Sequence, residues 1–283
     1  MILNAIYSKL ISESLLSLYP VFVKKIDLTI LLQLWTRLIA YVLISLFFIN
    51  YSFIATNIFT QQGITLSLIN LLHIYVSYEG FTNLDTGVSF SIFNIYPVLI
   101  LLFSGVLWKP IYIVSIIGLL FFIYDNVITQ STNNANFNYG LIMIIMAAIT
   151  EAIIYFIIRE VKTENSWNHL FISYYWGFII MSIYLLIDNN KENMLNNSDD
   201  SYKSNSWFYI GIAILINGII GTIGYYLRFY AIYNMNYEIY ALLSYFGIIM
   251  AYFYGIFFNN EKINIYKIIG TVLIIISNYY ALT

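Results

Sequence analysis

The chain has 283 residues, 61% of them hydrophobic and 9% charged, with a mean hydropathy of +0.79, whereas soluble domains run at about 45–50% apolar and about 25% charged. This is the composition of an integral membrane protein, with no length to spare for a sizeable soluble domain. A net charge of −2 argues against nucleic acid and against a polybasic membrane-surface patch, and the absence of cysteine excludes disulfides, thiolate metal sites and a cysteine nucleophile.

A spanning helix takes roughly 20 apolar residues, which leaves room for about nine to eleven spans. Apolar runs broken by polar clusters predict ten helical segments, over 2–23, 29–49, 61–80, 86–107, 110–127, 138–158, 167–187, 207–230, 236–258 and 264–282. Lys9 and Glu13 interrupt the stretch where a cleavable leader would need an unbroken apolar run, so the first segment is expected to be retained as a helix. Tyr, Phe, Ile and Asn are all abundant and share A/T-rich codons; the aromatic content is therefore read as genome composition rather than as a cage for a cation.

The polar stretch TQSTNNANFN (129–138) divides the ten segments into halves: a first five-helix repeat over 1–128, a polar linker over 129–137 and a second five-helix repeat over 138–283. Sliding the chain by 151 residues brings Tyr75 onto Tyr226, Gly80 onto Ala231, Asn83 onto Asn234, Asp85 onto Asn236 and Pro97 onto Ile248. SESLL (12–16) in the first segment matches TEAII (150–154) in the sixth, each with an acid. Five crossings are an odd number, so the second repeat enters the membrane upside down relative to the first. That is the inverted-repeat arrangement of many secondary transporters.

The segment GTIGYYLRFYAIYNMNYEIYALLSYFGIIMAYFYGIFFNNEKINIYKIIGTVLIIIS (221–277) resembles the drug/metabolite transporter superfamily in its ten-helix, EamA-like form. Phe229, Tyr230, Ala231, Glu261 and Gly270 fall on the pattern, as do GFTNLDTGVSFSIFNIYP (80–97) with Pro97 and Arg37 in LWTRLIAYVL. The chain departs from it where the second-half proline gives way to Gly247 and Ile248, and where Pro110 replaces an acid. The resemblance implies an all-α integral membrane fold of about ten transmembrane helices in two inverted five-helix repeats, with a central site exposed alternately to either side. It names no substrate.

Ionisable groups at bilayer depth cost roughly 2.5–3.5 kcal/mol on insertion scales and face a partner or water. Glu13 and Glu151 lie mid-helix at repeat-related positions and are candidates to line a cavity and to bind a proton or solute. For Glu13 the alternative is a pair with Lys9 on the same helix face at i, i+4. Arg37 lies about 12 Å into its helix, which favours the interior and an anionic substrate over snorkelling. Glu79 reads as a surface group, although its repeat partner Tyr230 occupies a position that, by the resemblance, often faces the cavity. Asn94, with Ser89, Ser91 and Pro97, is expected to face the space between the repeats. Arg228 and Glu238 read as surface groups near helix ends, His73 as a hydrogen-bonded core residue and His169 as an interfacial one. Gly218, Gly221 and Gly224 read as close helix packing.

No HExxH, no clustered aspartates and no GxxxxGK[ST] is present, so no catalytic residue, metal, cofactor or ATP drive is expected. The reading is a secondary transporter of a small polar metabolite or drug-like solute, with proton coupling through Glu13 or Glu151 as an option. A non-transporting structural or regulatory membrane protein is the alternative, followed by a membrane-embedded enzyme. The expected partners are the lipid bilayer and a small-molecule solute, without nucleic acid and with a homodimer left open. Lysine and arginine counts do not orient the chain, and Asn196-Asn197-Ser198 would accept a glycan only in a secretory lumen.

Overall fold

In the first helix, α1 (Ile2–Leu16), the apolar side chains Leu3, Tyr7 and Ile11 are exposed while Lys9, Ser12 and Glu13 are buried. This inverts the pattern of a helix in water, where the apolar stripe faces inward. The structure, a computed structural model, describes residues 2–105, 110–129, 135–161, 163, 165–187, 200–262 and 264–282. Helix covers most of the described residues in each of the ten expected segments; the second ends early, at Ser45, and three are broken. The first consists of α1 and α2 (Tyr19–Lys25), the fourth of α6 (Thr86–Phe93) and α7 (Tyr96–Phe103), and the ninth of α13 (Tyr237–Ser244) and α14 (Phe246–Asn259). The others are α3 (Ile30–Ser45), α5 (Gln61–Asn83), α8 (Pro110–Thr129), α9 (Ala135–Glu160), α10 (Ser166–Ile187) and α15 (Ile265–Leu282). The eighth runs through α11 (Asp200–Ile216), a π-helical turn at Asn217–Gly221 and α12 (Thr222–Asn234). A short helix, α4 (Tyr51–Asn57), lies in a connection expected to be loop.

Among the described residues, five stretches are long and apolar enough to cross a bilayer: Thr86–Phe103, Asn136–Glu160, Ser166–Ile187, Trp207–Asn234 and Tyr237–Asn259. Ile30–Ser45, Pro110–Phe121 and Ile265–Ser277 are apolar but shorter. α1 is too short at 15 residues, and α5 is long enough but carries buried polar residues, Asn70 and His73, on its inward face. Of the linker expected at 129–137, residues 130–134 lie outside the described residues and 135–137 open α9. Lys109, Lys162, Lys191 and Asn196-Asn197-Ser198 also lie outside them.

Side-chain oxygens start several helices: Thr29 accepts from Leu32 N–H, Asn50 from Phe53, Thr60 from Gly63 and Asn236 from Ile239. The turn from α5 into α6 and that from α12 into α13 share one backbone path. Leu84 (φ −125°, ψ 157°) corresponds to Met235 (φ −124°, ψ 154°), and Asp85 (φ −61°, ψ 151°) to Asn236 (φ −75°, ψ 164°). The breaks that follow also match. Ile95 N–H donates to Ile92 O and Val98 to Ile95, as Tyr245 donates to Leu242 and Ile248 to Tyr245. Pro97 explains the first break, since it has no N–H to give; the second forms the same tightened turn without proline.

Helix contacts come in matched sets. α1 packs on α12 and α5 on α9; α1 packs on α13 and α14 and α9 on α6 and α7; α6 packs on α14 and α7 on α13. α3 pairs with α10, and α8 with α15, which cross where Gly118 lies against Gly270. The outer faces of that last pair, with Ile113, Ile117, Ile268, Val272 and Ile275, are exposed and apolar, as lipid requires. The protein is an all-helical, multi-pass integral membrane protein.

Candidate functional site

Charged side chains converge where α1, α5, α7, α9, α12 and α13 meet. Lys9 Nζ donates to Glu13 Oε1 at 2.5 Å, on the i, i+4 spacing that puts both on one face of α1. Arg228 of α12 donates to the same oxygen at 3.0 Å and, through its other terminal nitrogen, to Glu151 Oε1 of α9 at 2.7 Å. Glu151 Oε2 lies 3.3 Å from Nε2 of His73 on α5. On its other side His73 Nδ1 is 3.0 Å from the Thr150 hydroxyl and 3.2 Å from the Ala147 carbonyl.

Two tyrosines complete this network. The Tyr96 hydroxyl accepts from Lys9 and from Arg228, each at 3.2 Å, and donates to Glu13 at 3.3 Å. Its one donor and two lone pairs are all engaged. The Tyr240 ring lies 3.7 Å beneath Lys9 Nζ, a cation–π contact whose strength rises when water is excluded. All four charged groups are buried, at no more than 3% exposure. Two cations against two carboxylates leave the cluster neutral, which makes such burial tolerable. Gly247, the second residue of α14, sets its shape: a Cβ there would sit 2.6 Å from Glu13 Oε2 and 2.7 Å from the Phe90 ring.

Arg37 lies in a separate aromatic chamber. Its guanidinium carbon is 4.4 Å from the Tyr19 ring centroid, 4.9 Å from Tyr225 and 5.5 Å from both Tyr41 and Tyr78. It donates to the Tyr225 hydroxyl at 2.5 Å and to Tyr78 at 3.4 Å. The Tyr19 hydroxyl shares a hydrogen with Tyr41 at 2.6 Å and reaches Asn217 Oδ1 in the π-turn at 2.7 Å. A methyl group on Gly221 would overlap both of those hydroxyls. Tyr225 joins the two regions, with Arg228 5.6 Å from its ring centroid.

The structure therefore brings Glu13 and Glu151 together and sets Arg37 beside them. Asn94 is buried at the α6–α7 break, where its amide nitrogen donates to Phe90 O at 2.7 Å and its oxygen has no partner. Glu79 and Tyr230 are partly buried and outside the network. They play matched backbone roles: the Glu79 carbonyl accepts from Asn83 Nδ2 and the Tyr230 carbonyl from Asn234 Nδ2, both at 2.8 Å. Arg228 differs most from expectation. Read as a surface group, it is 2% exposed and is the hub of the network. His169 is likewise buried, its Nε2 3.1 Å from the Thr163 carbonyl. Both readings of Glu13 are realised in part, since its partner Lys9 belongs to the same buried cluster. Tyr96, Tyr240 and the tyrosines around Arg37 were absent from the candidates, because aromatic abundance carried no positional signal.

Charges buried among apolar membrane helices are costly and mark a solute or ion pathway by default. The EamA-like transporter family model matches residues 138–283, more than half of the chain. The chain belongs to the EamA-like transporter family, within the drug/metabolite transporter superfamily. A solved structure described as "Crystal structure of protein" is similar in fold, with a TM-score of 0.64 at 12% identity, covering 99% of this chain and 97% of its own. No curated protein matches the chain.

Proposed function

We propose that the protein is a secondary transporter that moves a small polar solute by alternating access between two inverted five-helix halves, 1–128 and 138–283. The bridge from Glu13 through Arg228 to Glu151 carries this reading, because it ties an acid of the first half to an acid of the second through one cation. Support for the two halves comes from the matched helix contacts and from the shared backbone path at 84–85 and 235–236. Exchanging the first set of five for the second reproduces the main helix contacts, apart from that of α4 with α10, and this supports a pseudo-two-fold relation between them.

The two acids differ in what they offer. Glu13 is held by the Lys9 amine, the Arg228 guanidinium and the Tyr96 hydroxyl. Glu151 faces Arg228 and the imidazole of His73, which carries charge only when protonated. Proton coupling in this reading runs through Glu151, and rocking of one half against the other exposes that acid to each side in turn. The chemistry is solute and proton binding, with no bond made or broken, so the chain acts as a carrier rather than an enzyme.

The test is uptake by proteoliposomes over a panel of metabolite classes, with and without a pH gradient. Glu151→Gln is expected to abolish gradient-dependent flux while the purified protein stays monodisperse with a cooperative melt. Unchanged flux in that variant would remove Glu151 from the mechanism.

A further inference from the structure

We propose, building on the transport reading, that the Arg37 chamber binds the negatively charged group of the solute, a carboxylate or phosphate on a small organic anion. Arg37 sits midway along α3 at 2% exposure. Among the described residues no carboxylate lies within ion-pairing distance of it, whereas Arg228 holds two and Lys9 one. The partners it has are neutral hydroxyls and ring faces. Ring faces soften the burial of a cation but do not neutralise it.

Counting the buried charged side chains described, three cations, Lys9, Arg37 and Arg228, face two carboxylates, Glu13 and Glu151. With His73 neutral, one positive charge is in excess, and it resides in the chamber. Two buried polar groups there lack partners. The Arg37 Nε–H has no acceptor, and the Tyr174 hydroxyl has no hydrogen-bond partner. The Tyr174 ring packs edge-on against Tyr41 at 4.8 Å and Tyr225 at 5.9 Å, two of the rings that flank Arg37. Buried donors left open are costly unless something fills them, and both of these groups can donate. A ligand that accepts two hydrogen bonds and carries one negative charge answers the charge and the donors together. A cation would be repelled by Arg37, and a neutral ligand would leave the excess charge.

The chamber is also built rather than incidental. The π-turn supplies Asn217 to orient Tyr19, and Gly221 leaves space for the Tyr19 and Tyr41 hydroxyls. Single π-turns within α-helices concentrate at functional sites. A guanidinium suits the flat two-oxygen edge of a carboxylate or phosphate better than an ammonium does.

The test uses the purified full-length protein and compares each anion with a neutral counterpart at constant ionic strength: benzoate against benzamide, and phenyl phosphate against phenol. Ligands that bind the folded state raise the melting temperature in a saturable way. At least one anion is expected to do so where its neutral counterpart does not. Arg37→Gln should abolish the shift, and Arg37→Lys, which keeps the charge but loses the fork, should weaken apparent affinity by about tenfold or more. Equal effects of both members of each pair, or no effect of either anion, would overturn the proposal. So would full-strength anion binding in Arg37→Gln or, should that variant not fold, in Arg37→Lys. Anion binding without flux would sink the transport reading and leave the anion site standing. Flux of a neutral or cationic solute that Arg37→Gln leaves unchanged would do the reverse.

Discussion

Arg228 reaches Glu13, 215 positions away, with one terminal nitrogen at 3.0 Å and Glu151, 77 positions away, with the other at 2.7 Å. Removing one member of a buried ion pair costs about 3–5 kcal/mol, because its partner's charge stays behind. Arg228→Gln should therefore lower the melting temperature substantially. Combining it with Glu151→Gln should recover part of the loss, with a coupling of about 0.5–3 kcal/mol. Strictly additive losses in thermal melts would show that the bridge couples nothing.

Tyr96 and Tyr240 make a controlled comparison. Tyr96→Phe removes a hydroxyl bonded to Lys9, Glu13 and Arg228 and is expected to cost about 1–3 kcal/mol. The Tyr240 hydroxyl has no hydrogen-bond partner, so Tyr240→Phe, which keeps the ring under Lys9, should stay within about 0.5 kcal/mol of the parent. Chemical or thermal denaturation of both variants in one detergent distinguishes the two cases.

Gly247→Ala places a methyl group 2.6 Å from Glu13 Oε2 and 2.7 Å from Phe90. Overpacking of this kind costs about 1–3 kcal/mol, and flux should fall because Glu13 is displaced. Gly211→Ala is the control: nothing lies within 4 Å of the added carbon, and a helical alanine gains up to about 1 kcal/mol over glycine. A Gly247→Ala protein as stable and active as the Gly211→Ala protein would show that the acid tolerates displacement.

Glu261, one of the residues that fall on the family pattern, lies between α14 and α15 and caps α6. Its two carboxylate oxygens accept from the N–H groups of Thr86 at 2.8 Å and Gly87 at 3.2 Å, the first residues of α6. Glu261→Ala should cost about 0.5–2 kcal/mol, as loss of an N-terminal cap does. It should also speed amide hydrogen exchange at Thr86 and Gly87, while Glu261→Gln, which retains one acceptor oxygen, falls between. Exchange rates unchanged in the alanine variant would mean that this contact does not hold the start of α6.

The legible part of the site was the part where sequence broke its own rule. An acid inside an apolar run is expensive, so Glu13 and Glu151 stood out, and SESLL against TEAII tied them to the repeat. Arg228 broke the same rule, yet its place near the end of a segment offered the cheaper explanation of snorkelling. The tyrosines carried no signal at all, because a chain with 28 of them gives no reason to single out Tyr96 or Tyr225. Helix breaks followed the same logic. Pro97 announces the gap between α6 and α7 chemically, whereas the gap at Tyr245 arises from a tightened turn with nothing in the residue types to mark it.

The π-turn at Asn217–Gly221, closed by Thr222 N–H donating to Asn217 O, holds one residue more than a regular α-helical turn. Each α-helical residue advances the azimuth by about 100°, and the wider turn takes up its surplus residue without passing that rotation on. Deleting Ile219, an exposed residue of the turn, would let it close as a regular α-turn while Tyr225 and Arg228 keep their direction relative to α11. Deleting Ile223, an equally apolar and exposed residue just beyond the turn, would instead rotate Tyr225 and Arg228 by about 100° relative to α11, swinging the guanidinium away from the two acids. Two single-residue deletions four positions apart thus remove the same side chain from the same apolar stretch and differ only in angular register.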